Sequence, residues 1–194
     1  MASSPQFIKR SSETLRDIAG DVVRMLKHAK ETVAVAESLT GGGIMAAITS
    51  VEGASAVFRG GVVSYATGVK QNLLGVDANL VSLQGVIDGD VAQQMATGAR
   101  TVTALDTTTT WGISTTGVAG PDLQDGKPVG MVFIGIATGD QSKALGPFQF
   151  PGDRDGIRQA TVMEALSQLR EMLADRQSTG EEERLLQFSE EWRA

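Results

Sequence analysis

The chain has 194 residues, 41% of them apolar, which is enough for one globular domain with a sizeable core but not for a second full domain. A net charge of −6 gives no basic surface for nucleic acid, and the absence of cysteine excludes disulfides, thiolate catalysis and cysteine zinc sites. No apolar run approaches the roughly 20 residues of a membrane span. We therefore expect a cytoplasmic protein that binds neither nucleic acid nor membrane.

Apolar periodicity predicts the elements of the first part of the chain. Ser11 or Ser12 is the expected N-cap of the first helix. Gly60 and Gly61 interrupt the second strand, which indicates a bulge or a close backbone approach. The predicted order is a helix over 11–30, a strand over 32–36, a helix to about residue 50 and a strand over 56–65.

The remaining elements complete an alternation of helices and strands. Asp88 is the expected cap of a helix over 89–104. The others are short helices near 69–74 and 78–83, strands over 108–116, 130–138 and 143–150, and a last helix from near Asp153. The last two strands should form a hairpin. This order predicts an α/β protein, namely a three-layer α/β/α domain over 1–177 with a mixed, mostly parallel sheet. A charged tail over 178–194 follows, either helical, mobile or a docking arm for a partner.

A polar, glycine-rich turn follows the first predicted strand and carries the sequence AESLTGGG over 36–43. Ser38 presents a reactive hydroxyl there, unless it serves only as a helix N-cap. The glycines allow a ligand to approach the backbone, and the first amides of the next helix favour an anion. Ligands of such sheets bind beyond the carboxyl ends of the strands. The loops after Ala36, Tyr65 and Thr116 are therefore expected to share one cleft.

A nucleophilic Ser38 would need a base, and the composition limits the choice. The only histidine, His28, lies between two lysines late in the first helix, where a surface position is favoured. A lysine that is neutral because it is buried can replace histidine as the base. Lys70 is the candidate because it follows Tyr65 in the neighbouring connection. The alternative is that Lys70 is an ordinary solvated helix residue.

The three glycines also fit a rival function. Residues 41–46, GGGIMA, match the dinucleotide fingerprint G-x-G-x-x-A directly after a strand, which would indicate an NAD-dependent oxidoreductase. That motif requires an acid about 20 residues further on to hold a ribose. Between Glu52 and Asp77 the chain has no acidic residue. The oxidoreductase hypothesis therefore ranks below the others.

Two further features suggest a bound anion or a polar loop. Arg154 lies at the start of the last helix, where its charge opposes the helix macrodipole, so a substrate phosphate or carboxylate would explain it. A salt bridge to Asp153 or Asp155 is the alternative explanation. Thr116 begins a glycine-containing loop that either supplies a hydroxyl and amides to the cleft or is a plain connection.

Several motifs follow one another along the chain in a compact order. They are AESLTGG at 36–42, GASAVFRGGVVSY at 53–65, MATGAR at 95–100, TGVAGP at 116–121, PVGMVFIG at 128–135 and GDR at 152–154. With Lys70 between the second and third motifs, the chain from about residue 22 to 173 resembles the CinA carboxy-terminal domain family. As a set, these motifs are highly specific.

The resemblance implies a nicotinamide mononucleotide amidohydrolase, which releases ammonia and leaves nicotinate mononucleotide, and a homo-oligomer, most simply a dimer. By position, Ser38 matches the family's nucleophile and Lys70 its base. The remaining active-site positions correspond to Tyr65, Thr116 and Arg154. Arg154 would bind the phosphate, and Tyr65 either the pyridine ring or the Ser–Lys proton network. No cofactor and no metal are expected.

The amides near Thr40, Gly41 and Gly42 are expected to bind substrate, either at the oxyanion or at the phosphate. The chain also departs from the family pattern. Leu39 stands where many members have cysteine, and Thr67 where asparagine is common. Asp88 replaces a common serine, and if that position touched substrate, a carboxylate would repel phosphate. The alternative function is a catalytically idle nucleotide-binding or protein-interaction module of the same fold.

Overall fold

The structure is a computed structural model that describes residues 13–139 and 141–191, with side chains described as far as residue 176. The strands in these residues are β1 (Val33–Glu37), β2 (Phe58–Val63), β3 (Trp111–Gly117), β4 (Met131–Ala137) and β5 (Ser142–Gln149). The helices are α1 (Leu15–Ala29), α2 (Gly43–Thr49), α3 (Thr67–Asn72), α4 (Ala78–Gln84), α5 (Gly89–Val102) and α6 (Arg154–Glu191), with a 3₁₀ turn at Ala54–Ala56. Within the described ranges, no helix has the length and apolarity to cross a membrane.

The strands form one mixed sheet in the order β2-β1-β3-β4-β5. β1 pairs in parallel with both β2 and β3, while β4 pairs antiparallel with β3 and β5. Four of the five strands therefore run in the same direction, and the predicted terminal hairpin is confirmed. β1 and β3 are buried along their whole length because helices cover both of their faces.

Helices cover the two faces of the sheet, as the α/β prediction requires. α1, α2 and the first part of α6 pack together on one face around the larger apolar core, which includes Ile18, Ile44 and Leu166. α5 covers the other face, where Met95 packs against the small residues Ala34 and Ala36 of β1. The predicted three-layer α/β/α fold is thus confirmed.

The bulge predicted in the second strand is present. The register of β1 against β2 shifts between Val33 and Ala34, so β2 contains one extra residue at that point. Gly61 lies so close to β1 that a Cβ added to it would be 2.4 Å from the Val35 carbonyl oxygen. A side chain at this position would push β2 away from β1.

Two predicted helix starts differ in their outcome. α1 begins at Leu15 with Thr14 as its N-cap, and a capping box joins Thr14 to Asp17. The expected cap at Ser11 or Ser12 is therefore wrong, and both serines lie outside the described residues. Asp88 does cap α5, because its carboxylate accepts the Asp90 amide. The backbone of residues 178–191 continues α6, so this part of the charged tail is helical.

Candidate active site

The connections after β1, β2 and β3 meet at one edge of the sheet, as expected from the carboxyl ends of parallel strands. They enclose a polar cleft of about 130 Å³. The predicted residues that line it are Ser38, Tyr65, Lys70, Thr116 and Arg154. Residues that are 116 positions apart in the chain are thereby brought to one site by the sheet topology.

Ser38 and Lys70 are in direct contact at the base of this cleft. The Lys70 Nζ atom lies 3.0 Å from the Ser38 Oγ atom. It also donates to the Ser64 carbonyl at 2.6 Å and lies 3.5 Å from the Tyr65 carbonyl. Lys70 is only 1% exposed, so the alternative of a solvated helix residue is wrong. α3 directs this side chain under the β2–α3 connection and toward β1.

Burial changes the protonation of Lys70. Removal from water disfavours the ammonium and lowers the pKa of Lys70 from 10.5 to about 8. The three oxygen atoms around Nζ belong to a hydroxyl and two carbonyls, so no carboxylate offsets this desolvation. At pH 7 roughly one molecule in ten would hold neutral Lys70. Such a lysine can accept the proton of a serine hydroxyl near neutral pH.

Glu37, the last residue of β1, holds the turn that carries Ser38. It is fully buried, and its carboxylate accepts hydrogen bonds from the amides of Gly42, Ile44 and Met45 at 2.9, 3.2 and 2.9 Å. The carboxylate thereby occupies the start of α2, where the macrodipole favours negative charge. Sequence reasoning missed this role, although an acid six residues before a glycine-led helix was a usable signal.

This arrangement corrects the expected anion cradle at the start of α2. The Gly42 amide is bound to Glu37, and the Gly41 amide donates to the Ser38 carbonyl at 3.1 Å. Neither is free to bind an oxyanion or a phosphate, and substrate contact through other atoms of these glycines stays a prediction. A dinucleotide pyrophosphate would have to displace Glu37, which removes the physical basis of the oxidoreductase hypothesis.

The amides of Leu39 and Thr40 are the remaining backbone donors beside Ser38. Across the described part of the chain, neither forms a backbone or side-chain hydrogen bond. The Thr40 side chain is held separately, because its hydroxyl lies 2.8 Å from that of Thr115 on β3. Two adjacent free amides directly after a serine can form an oxyanion hole. Of the predicted substrate-binding residues, Thr40 thus keeps the amide that this function needs.

Tyr65 and Arg154 form a second pair at the mouth of the cleft. Arg154 donates to the Tyr65 hydroxyl at 2.7 Å and to the Gly120 carbonyl at 2.6 Å. Asp155 pairs instead with Arg158, so the expected alternative of a salt bridge from Arg154 to Asp153 or Asp155 is not found. Both known partners of Arg154 are neutral, which leaves its charge available to an anion. The Tyr65 hydroxyl faces Arg154 rather than the Ser38–Lys70 pair.

Thr116 lines the cleft, but its hydroxyl is already bound within the protein. Its hydroxyl donates to the Val86 carbonyl at 2.6 Å, and the residue is fully buried. The hydroxyl proton is therefore committed to holding the segment between α4 and α5 against β3. A direct catalytic role for Thr116 stays a prediction, limited to its oxygen acting as an acceptor.

Sequence reasoning also missed Arg158, which contacts the turn from α6. Its Nε atom donates to the Leu39 carbonyl and its Nη2 atom to the Thr40 carbonyl, both at 3.1 Å. Arg158 lies four residues after Arg154, and residues at this spacing share one face of a helix. Two arginines with this spacing at the start of one helix were therefore a signal that both lie toward the same end of the sheet.

The fold and site together define an α/β domain in which Ser38 contacts a buried lysine, Lys70, at the carboxyl edge of the sheet. The family model of the CinA C-terminal domain matches residues 15–173, which include every residue of the cleft. The chain therefore belongs to the CinA C-terminal domain family.

Individual relatives agree with this assignment. The chain is 45% identical to a CinA-like protein of Frankia casuarinae over 157 residues, which cover 81% of this chain and 35% of that protein. It is also 45% identical to a putative competence-damage inducible protein of a Geobacillus species, across 78% of this chain and 36% of the relative. The chain thus spans about a third of the length of these relatives.

Solved structures show the same fold. A CinA superfamily protein of Klebsiella pneumoniae superposes with a TM-score of 0.79 at 27% identity, covering 84% of this chain and 99% of that one. A competence/damage inducible protein of Agrobacterium tumefaciens gives a TM-score of 0.74 at 29% identity, with 84% and 97% covered. The fold prediction is therefore supported independently of the sheet geometry.

Proposed function

We propose that this chain is an amidohydrolase that converts nicotinamide mononucleotide and water into nicotinate mononucleotide and ammonia. The observation that carries the proposal is the 3.0 Å contact between the Lys70 Nζ atom and the Ser38 Oγ atom. Lys70 is buried and has a pKa of about 8, which suits a base that operates near neutral pH. The substrate is the one implied by the resemblance to the CinA family.

The reaction would follow the acyl-transfer scheme of activated serine enzymes. Neutral Lys70 takes the hydroxyl proton while the Ser38 Oγ atom bonds to the amide carbon. The free amides of Leu39 and Thr40 stabilise the negative charge that develops on the carbonyl oxygen. Lys70 then gives its proton to the departing nitrogen, so that the C–N bond breaks and ammonia leaves an ester on Ser38.

Water completes the reaction through the same groups. Lys70, neutral again, takes a proton from a water molecule that attacks the ester carbon. The ester bond breaks, the proton returns to the Ser38 oxygen, and the carboxylic acid product leaves and gives up its own proton to water. Lys70 thus transfers one proton in each half of the cycle, which a single group with a pKa near the working pH can do.

Arg154 supports a substrate that carries an anionic group away from the reacting amide. Its guanidinium lies at the cleft mouth, is bound to neutral oxygens of Tyr65 and Gly120, and would pair with the phosphate of a mononucleotide. The Tyr65 side chain is 60% exposed and presents a ring face beside this cation. A pyridine ring could stack on it between the phosphate and Ser38.

The test is ammonia release from nicotinamide mononucleotide by the wild-type chain and by Ser38→Ala. We expect the variant to lose at least about 10³-fold in kcat, because the nucleophile is removed. Ser50→Ala is the matched control, since Ser50 lies at the other end of α2 and its hydroxyl binds only the helix carbonyl of Ala47. The control should retain wild-type turnover.

Two outcomes would contradict the proposal. Turnover that persists in Ser38→Ala would exclude the serine mechanism. Thermal stabilisation of the wild-type chain by the mononucleotide, without any ammonia release, would instead favour the catalytically idle module.

A further inference from the structure

Arg158 joins α6 to the turn that follows Ser38, and its contacts are of an unusual kind. Two of its nitrogen atoms donate to consecutive backbone carbonyls, those of Leu39 and Thr40, at 3.1 Å each. A Cβ added to Gly41 would lie 3.4 Å from the Nη2 atom, so the guanidinium also lies against the backbone of this glycine. Arg158 therefore holds the turn in place through hydrogen bonds to two backbone carbonyls of the turn.

These contacts act on a free amide through the geometry of the peptide. The Leu39 carbonyl and the Thr40 N–H belong to one planar trans peptide, and they point in opposite directions. A donor that holds the carbonyl consequently sets the direction of the N–H. A charged donor also polarises the peptide and strengthens the hydrogen bond that the N–H can give. In the described chain, the Thr40 amide has no partner of its own.

We propose that Arg158 is a positioning residue that orients and polarises the peptide between Leu39 and Thr40, so that the Thr40 amide binds the developing oxyanion. The inference rests on the proposed function, because it assumes acyl transfer at Ser38. It assigns Arg158 a part in the reaction although this side chain does not touch the substrate.

The contacts of the Arg158 guanidinium argue against direct binding of a substrate anion. Its Nη1 atom forms an ion pair with Asp155 at 3.3 Å, while Nε and Nη2 are held by the two carbonyls. Arg154, one helical turn earlier, has only neutral partners. The two arginines therefore have different roles. Arg154 faces the cleft mouth, and Arg158 holds the backbone beside the nucleophile.

The test compares Arg158→Met and Arg158→Lys with the wild-type chain in the ammonia assay. We expect Arg158→Met to lower kcat about 10- to 100-fold, because a misplaced oxyanion donor stabilises the transition state less but leaves binding of the substrate unchanged. KM should change by less than about threefold. Arg158→Lys keeps the charge but loses the fork that holds two carbonyls together, so its kcat should be intermediate.

Arg170→Met is the matched control for a purely structural tether. Arg170 lies on the same helix and binds the carboxylates of Glu13, just before α1, and of Asp21, on α1. Its loss should lower the midpoint of thermal unfolding while kcat stays within about twofold. All variants are assayed below their unfolding transitions, so that lost activity does not reflect lost fold.

A second measurement separates this inference from the proposed substrate. A fluorophosphonate reagent phosphonylates an activated serine and places its phosphoryl oxygen in the oxyanion hole, whatever the natural substrate. We expect labelling in the wild-type chain, none in Ser38→Ala, and labelling about 10-fold slower or more in Arg158→Met. Equal labelling and equal kcat in Arg158→Met would overturn the role of Arg158 alone. Absence of both turnover and labelling in the wild type would overturn the proposed function together with this inference.

Discussion

Of two clefts in the described part of the molecule, the larger has the less reactive lining. The larger, about 610 Å³, lies beside α4 and α5 and is lined by neutral polar and apolar side chains such as Gln94, Thr97 and Leu80, with two aspartates. The smaller, about 130 Å³, contains Ser38 in contact with buried Lys70. A search by volume alone would select the larger cleft, and chemical reasoning selects the smaller.

The difference arises from what surrounds each cleft. The larger lies between helices and the last strand, where side chains point outward and the acids Asp77 and Asp90 serve the ends of helices. The smaller lies at the carboxyl edge of β1, β2 and β3, where chain connections converge and bury polar groups. Burial, and not volume, lowers the pKa of Lys70 and allows it to accept a proton near neutral pH. Three measurements test whether the smaller cleft is the reactive one.

Removal of the Lys70 amine should lower turnover more than any other change considered below. Lys70→Met keeps the volume of the buried side chain but cannot accept a proton, so kcat should fall at least about 10³-fold. In the wild type, kcat/KM should rise with pH along a limb of apparent pKa about 8, because only neutral Lys70 is the base. Initial rates of ammonia release between pH 6 and pH 10 would measure both.

Lys27→Met controls for the loss of a lysine elsewhere. Lys27 is exposed on α1 and does not line the smaller cleft, so its variant should keep both the turnover and the pH limb of the wild type. A flat pH profile in the wild-type chain would contradict the assignment of Lys70 as base.

The sheet and its strands were predictable because their patterns depend on local sequence. β1 and β4 appear as short apolar runs, the bulge in β2 as a glycine pair, and the hairpin as two strands across a short turn. The start of α1 was missed because the apolar stripe of the helix does not show which residue caps it. Thr14 follows Ser11 and Ser12, which are also suitable N-cap residues.

The site was predictable only in its residues that carry reactive groups. The pairing of Ser38 with Lys70 could be inferred from the order of the connections and from the family motifs. The roles of Glu37 and Arg158 were missed although each left a local signal, because both side chains act on backbone groups that the sequence does not single out. Which amides are free depends on three-dimensional contacts, and the glycines that seemed to offer an anion cradle proved to be bound already.

The second prediction concerns the stability cost of burying Lys70. Below pH 8 both the folded and the unfolded chain hold the proton, so the cost is constant there. Between pH 8 and 10.5 the unfolded state binds more protons, so the contribution of Lys70 to folding stability rises with pH by up to about 3 kcal/mol. Above 10.5 it is constant again.

Lys70→Met removes this titration and isolates it from the other groups. The free energy of unfolding of the wild type, measured relative to Lys70→Met by urea titration, should therefore increase from pH 8 to pH 10.5. A constant difference over this range would mean that Lys70 keeps an ordinary pKa in the folded chain. The base assignment would then lose its electrostatic support, whatever the kinetics of the variant.

The third prediction tests which of the two clefts binds the substrate, and its effect should be the weakest of the three. Arg154→Met removes a cation at the mouth of the smaller cleft and should raise KM about 10-fold or somewhat more, the value of one charge-assisted contact, while kcat changes little because the guanidinium is remote from the amide. Thr97→Ala alters the wall of the larger cleft, and both constants should stay within about twofold of the wild type. If Thr97→Ala raised KM and Arg154→Met did not, the substrate would occupy the larger cleft, and the Ser38–Lys70 contact would be a structural pair without a substrate beside it.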